Sequence, residues 1–213
     1  MSIAYFGLSN SLRIYLATTA LAVSPGPDII YVLLQSAVNG KKYGFITSLG
    51  LVSGCLVHTT LLAFGVSVLI NENEIIYFCI KLFGAVYLLY LAFKVYKNSS
   101  EINIGTNHLP KKSLGKLFKQ GFIMNVLNPK VTIFFLAFFP GFLFSNEINI
   151  VLQFYILGLI FMIISLIVFS IVSILSGMLS KRIREQKNIG LFLKWLQIVV
   201  FIGIAGYLLF SNK

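Results

Sequence analysis

The chain has 213 residues, of which 58% are hydrophobic and only 11% charged, and its mean hydropathy is +0.91. A soluble domain of this length needs a far more charged surface, so the composition excludes one and reads as an integral membrane protein. The net charge of +11 does not point to nucleic acid, because most of the basic residues sit in connectors between apolar runs, where they carry orientation instead.

Apolar windows of about twenty residues predict six membrane-spanning helices, roughly 14–38, 44–70, 75–96, 121–143, 148–177 and 191–210. The stretch ending Ala20-Leu21-Ala22 has the small residues of a cleavable leader. Arg13 is its one early cation, however, and the apolar pattern runs on past the prolines, so it reads as part of the first span.

That first span is interrupted near its middle by Ser24-Pro25-Gly26-Pro27-Asp28. Pro25 and Pro27 remove two backbone donors, Gly26 loosens the turn, and Asp28 is the only acid inside any span. In hydrocarbon, freed backbone groups and a carboxylate are costly unless protein or a water-filled cavity satisfies them. Asp28 therefore reads as a coupling carboxylate, as the cap of the half-helix that follows Pro27, or as both. Helical spacing places Ser24, Asp28, Tyr31 and Gln35 on one polar stripe.

The second span carries Gly50, Gly54, His58 and Gly65 on one face, a spacing of small residues that lets another helix approach closely. His58 is then turned toward protein, either as a packing residue or as a proton relay. In the third span, Lys81 lies shallow enough to snorkel outward or to serve the pathway, and Tyr87 and Tyr90 read as packing or interfacial residues. Cys55 and Cys79 fall inside spans without metal-ligand spacing and read as small buried hydrophobes.

The fourth span contains the second break, Leu127-Asn128-Pro129-Lys130. Asn125, Asn128 and Thr132 follow helical spacing, and the break at Pro129 leaves the direction of Lys130 open. By a rise of about 1.5 Å per residue, Asp28 lies about 15 Å and Lys130 about 13 Å from the cytoplasmic ends of their spans, at similar depth. For the polar groups of this span, interhelical hydrogen bonding and substrate contact are both open readings.

Connector charge sets the direction of the chain. Lys41 and Lys42, then Lys97, Lys111, Lys112, Lys116 and Lys119, then Lys181, Arg182, Arg184 and Lys187 all fall on one side, while the other connectors carry Glu72, Glu74 and Glu147. The positive-inside rule places the basic loops in the cytoplasm and both termini outside. The chain thus reads as one transporter domain over 1–213, with halves at about 1–96 and 121–213 joined by a solvated, lipid-attracted loop 97–120. Three spans per half invert the second half relative to the first. Each half opens on a proline-broken span, so a 3+3 inverted repeat is expected.

No enzyme signature is present: there is no H-E-x-x-H, no G-x-S-x-G and no phosphate-binding loop. Ser113-Leu114-Gly115-Lys116 matches S-x-x-K only by letter. No metal site or cofactor is expected.

With these residues in hand, the chain resembles the LysE/RhtB family of bacterial amino-acid exporters over nearly its whole length. The resemblance rests on Ser24-Pro25-Gly26-Pro27-Asp28, on Gly40-Lys41-Lys42-Tyr43-Gly44 with Gly50 and Gly54, and on the run from Lys81 through Gly84 to Leu91. Its last part runs from Gly121-Phe122 through Asn125-Val126-Leu127-Asn128-Pro129-Lys130 to Phe138-Phe139-Pro140. The Pro-Gly-Pro-Asp form looks most like the threonine/homoserine branch. Gly141, where the family tends to have glutamine, and Gln197, where it often has glycine, depart from the pattern.

The resemblance implies an inner-membrane exporter of amino acids or small amino-acid-like metabolites, driven by the proton gradient. The expected substrate and proton pathway comprises Asp28, Tyr31, Gln35, His58, Lys81, Asn125, Asn128 and Lys130. In that reading Lys130 and the helix end after Pro27 receive the substrate carboxylate, while Asp28 and the Asn128 carbonyls receive its ammonium. Expected partners are the substrate and membrane lipid, with no nucleic acid, and a homo-oligomer is left open. Two other classes remain: a non-transporting membrane scaffold or accessory protein, and a passive channel for small zwitterions.

Overall fold

The structure, a computed structural model, describes residues 15–24, 26–66, 74–97, 112–145, 147–178 and 187–210. It is all-helical, with eight α-helices and no strand among the described residues. They are α1 (Tyr15–Val23), α2 (Pro27–Asn39), α3 (Lys41–Leu61), α4 (Glu74–Lys97), α5 (Leu114–Val126), α6 (Pro129–Phe138), α7 (Ile150–Met178) and α8 (Lys187–Phe210). A π-helical turn, Leu62–Val66, extends α3, and a 3-10 turn, Phe139–Phe142, extends α6.

Three helical stretches, Lys41–Gly65, Ile75–Lys97 and Ile150–Ser176, are each long and apolar enough to cross a membrane. Two more crossings arise when α1 with α2, bent by 58°, and α5 with the stretch Pro129–Phe142, bent by 50°, each count as one broken span. The sixth expected span corresponds to α8, whose apolar part, Lys194–Phe210, is shorter. Both breaks lie where Pro27 and Pro129 were expected to put them. Pro25 lies outside the described residues.

Several helices extend into residues expected in connectors: Lys41 and Lys42 open α3, and Glu74 and Lys97 bound α4. Residues 114–120, expected in the connector, form the first turns of α5, and Lys187, also expected in a connector, opens α8. In α5, Leu117 is buried while Lys116, Phe118 and Lys119 are exposed. A hydropathy window ends where the lysines begin, but an amphipathic turn continues a helix past the membrane edge.

α3 packs on α7, α4 runs along α8, and the broken spans meet at their breaks. α3 and α5 cross most intimately. The expected glycine face is seated here, with a Cβ at Gly50 landing on the Phe118 carbonyl oxygen and one at Gly54 meeting Asn125 Oδ1 at 2.7 Å. Gly65, expected on the same face, is exposed and meets nothing. Gly50→Ala should therefore lower stability by about 1–3 kcal/mol, because helix backbone cannot yield as a flexible side chain would. Thermal unfolding in detergent checks this, and an unchanged midpoint would contradict so close a crossing.

Only Gly40 separates α2 from α3, with φ 101° in the left-handed region that glycine tolerates. The turn is tied to α7: Ser36 Oγ donates to Ser173 Oγ at 3.0 Å, and Ser173 Oγ donates to the Lys41 carbonyl at 2.8 Å. Gly44 supplies the room, since a Cβ there would overlap Ser36 Oγ. Elsewhere, Phe134, Phe135, Phe138, Phe139 and Phe142 interlock with Phe161 and Tyr207. Gln153, fully buried, anchors the chain before α7 by accepting from Phe144 N and Ser145 N and donating to the Ser145 and Ile148 carbonyls.

Candidate functional site

The two breaks complete each other. An α-helix leaves its last carbonyls and first amides without internal partners, and water cannot serve them at membrane depth. At the end of α1, Ser24 N donates to the Ala20 carbonyl at 2.9 Å, while the Leu21 and Ser24 carbonyls accept from Lys130 Nζ at 3.1 and 2.9 Å. A cation thus sits at the negative end of α1, although it belongs to the other broken span.

At the second break, Asn128 is the N-cap of α6. Its Oδ1 accepts from Lys130 N at 3.0 Å, and its Nδ2 donates to Asp28 Oδ2 at 2.7 Å. Pro129 follows at the first helical position, where its missing donor costs nothing. The N-cap of α2 is Gly26, in extended conformation and without a side-chain cap bond. Asp28 is therefore not the cap of its half-helix. It lies in the first turn, where a negative charge favours the helix end, and its side chain is turned across to Asn128.

Asp28 and Lys130 are 7% and 8% exposed and line one cavity of about 30 Å³. Gly26, Asn125 and Asn128 share that wall. That volume corresponds to about two waters, so the space between the charges is narrow. Lys130 spends its ammonium on carbonyl oxygens rather than on the Asp28 carboxylate, although both face the same space.

The cavity also has walls that sequence reading missed. α7 contributes Phe161, Ser165 and Phe169, and α3 contributes Cys55. The spacing of four residues in α7 is a signal in principle. It is muted because the other side of that helix, with Leu152, Ile156, Leu159, Ile163, Ile167, Ile171 and Ile174 exposed, is just as apolar.

Four of the expected pathway residues are elsewhere. His58 stands behind the wall, its Nε2–H donating to the Asn125 carbonyl at 3.1 Å and its ring 5.5 Å from that of Phe135. Gln35, buried, accepts from Asn39 Nδ2 at 3.0 Å two turns beyond Asp28, and Tyr31 is half-buried between them. Lys81 is half-buried on α4, with its ammonium 5.5 Å from the Tyr77 ring centre. None of these four lines the cavity. The Asn128 carbonyl oxygens, expected to receive an ammonium, are already engaged, Oδ1 by Lys130 N and the main-chain oxygen by Thr132 Oγ1 at 3.1 Å. Of the cysteines, Cys55 is buried and donates to Asn125 Oδ1 at 3.6 Å, whereas Cys79 is exposed rather than buried. No cluster of metal-ligating side chains occurs among the described residues.

A buried carboxylate and a buried ammonium at crossed helix breaks are the features around which the chain can be compared with known proteins. The family model described as LysE type translocator matches residues 19–212, which include both breaks. The chain belongs to that family. Curated relatives are similar over most of their length. A leucine efflux protein of Klebsiella pneumoniae subsp. pneumoniae is 25% identical over 96% of this chain and 97% of its own. A homoserine/homoserine lactone efflux protein of Salmonella typhi is 28% identical over 81% of this chain and 83% of its own. No solved structure matches. The translocator is thus a multi-pass membrane protein whose described charged cavity lies within the region that defines its family.

Proposed function

We propose that this translocator exports amino acids or close amino-acid-like metabolites from the cytoplasm across the plasma membrane, exchanging them for protons. The observation that carries the reading is that Asp28 and Lys130 line one small cavity where two broken spans cross. A zwitterion carries one charge of each sign, so a site of this composition binds it without a net charge in the membrane. The family and the efflux relatives supply the reaction class.

In this mechanism the substrate carboxylate faces Lys130 and the N-terminal amides of α2. Gly26, whose backbone lines the cavity beside Lys130, borders that approach. Asp28 receives either the ammonium or a proton, and alternation between the two couples inward proton flow to export. Opening toward the cytoplasm separates the Ser36–Ser173 contact, and opening outward parts the aromatic cluster around Phe135 and Phe139. The basic connectors face the cytoplasm and both termini lie outside.

Everted membrane vesicles test the reading. With an acidic lumen, vesicles containing the protein should accumulate labelled L-leucine or L-homoserine above empty vesicles, and a protonophore should abolish the accumulation. Flux that persists unchanged after collapse of the gradient would identify a channel instead, and absence of flux for the whole set of amino acids would leave only a scaffold.

A further inference from the structure

Buried polar atoms that find no partner are rare in folded proteins, because each costs about 1–3 kcal/mol. Among the described residues there are five such side-chain atoms, and three of them, Ser24 Oγ, Asp28 Oδ1 and Ser165 Oγ, belong to residues that line the cavity between the breaks. Their residues are 1%, 7% and 2% exposed, so bulk water does not reach them.

Ser165 is unusual for its setting. A helical serine or threonine in an apolar environment normally turns its hydroxyl back to the carbonyl four residues earlier. Thr47, Ser48, Ser53 and Thr59 do so here at 2.7–2.9 Å. Ser165 does not, and it stands between Phe161 and Phe169 on the face of α7 that closes the cavity.

Building on the exporter reading, we propose that Ser24 Oγ, Asp28 Oδ1 and Ser165 Oγ together form the subsite for the substrate's ammonium group. This makes Ser165 a substrate-binding residue. The chemistry matches: an ammonium offers three N–H donors and no acceptor, and the cavity offers three oxygens, one of them a carboxylate that supplies charge. A substrate carboxylate would be repelled by Asp28 and belongs on the Lys130 side. Asn128, with both its carbonyl oxygens engaged, positions Asp28 Oδ2 and leaves Oδ1 for the ligand. The rings of Phe161 and Phe169 then flank the ammonium and guide the apolar part of the substrate.

The test uses the full-length protein in proteoliposomes, with labelled L-leucine and L-homoserine as substrates. Two inhibitors dissect the zwitterion: 3-methylbutylamine, which is leucine without its carboxylate, and 4-methylpentanoate, which lacks the ammonium. Ser165→Ala should raise the apparent KM for both amino acids about tenfold or more and weaken inhibition by the amine by the same factor, the loss expected for a hydrogen bond to a charged group. Inhibition by the acid should not change. Ser24→Ala should behave likewise, which guards against a folding defect peculiar to one position. Amine inhibition unchanged in both variants would overturn the proposal, leaving these hydroxyls to hold an ordered water only. A wild-type protein that transports the amino acids but ignores the amine would overturn it too. Failure of the wild type to move either amino acid would instead count against the exporter reading on which the subsite rests.

Discussion

Asp28→Asn should reduce gradient-driven accumulation in everted vesicles to the level of empty vesicles, while exchange of labelled for unlabelled substrate in the absence of a gradient continues. The substitution preserves shape. An asparagine at this position can still present its oxygen to Asn128 Nδ2, which now donates to Asp28 Oδ2 at 2.7 Å, so the crossing of the two breaks is retained. What is lost is the ability to carry a charge in one step and a proton in the next, and no other acid stands inside a span to replace it. Accumulation equal to that of the wild type would eliminate Asp28 as the coupling group. Loss of exchange together with accumulation would assign it to binding alone.

Lys130→Met should have the largest structural effect of any single change at the site. The methionine fills a similar volume but leaves the Leu21 and Ser24 carbonyls at the end of α1 without donors, and it leaves Asp28 facing the cavity with no opposite charge. Breaking a buried charged arrangement by removing one partner costs about 3–5 kcal/mol. Thermal unfolding in detergent should show that loss, and export should fall to background. In the double variant Asp28→Asn with Lys130→Met, the uncompensated charge is gone, so stability should recover by about 1 kcal/mol or more relative to the sum of the single changes. Strict additivity would show that the two groups do not sense each other across the cavity.

The breaks were legible because prolines and ionisable residues are conspicuous in apolar sequence. Pro27 and Pro129 marked the bends, and Asp28 and Lys130 marked the charges. Depth counting put the two charges at one level, and they do line one cavity. Their partners were not legible. A lysine one residue past a proline can be assigned to no face by helical periodicity, and the structure turns it toward carbonyls 106 and 109 positions earlier in the chain. Of the two readings open for Asp28, capping does not occur, for a related reason. Capping depends on which residue adopts the extended conformation before the helix, and here that is Gly26 at one break and Asn128 at the other. Of the glycine face on the second span, Gly50 and Gly54 meet α5, but Gly65 falls in the π-helical turn, whose changed pitch rotates it out of register.

By itself the sequence determined the class of molecule. Twenty-residue apolar runs admit helices alone in a bilayer, and prolines with buried charges name the two places where the chain must be served by something other than its own helix. The tertiary structure decided what serves them. In a membrane both faces of a helix are apolar, one for lipid and one for protein, so hydrophobic periodicity does not say which way Ser165, His58 or Lys81 points. Only the packing of the helices brings Ser165 into the cavity that Asp28 lines and seats His58 against Asn125 and Phe135, with Lys81 outside it. The Ser24–Asp28 break is completed by residues about a hundred positions away, whose orientation follows from unsatisfied backbone groups meeting across the fold.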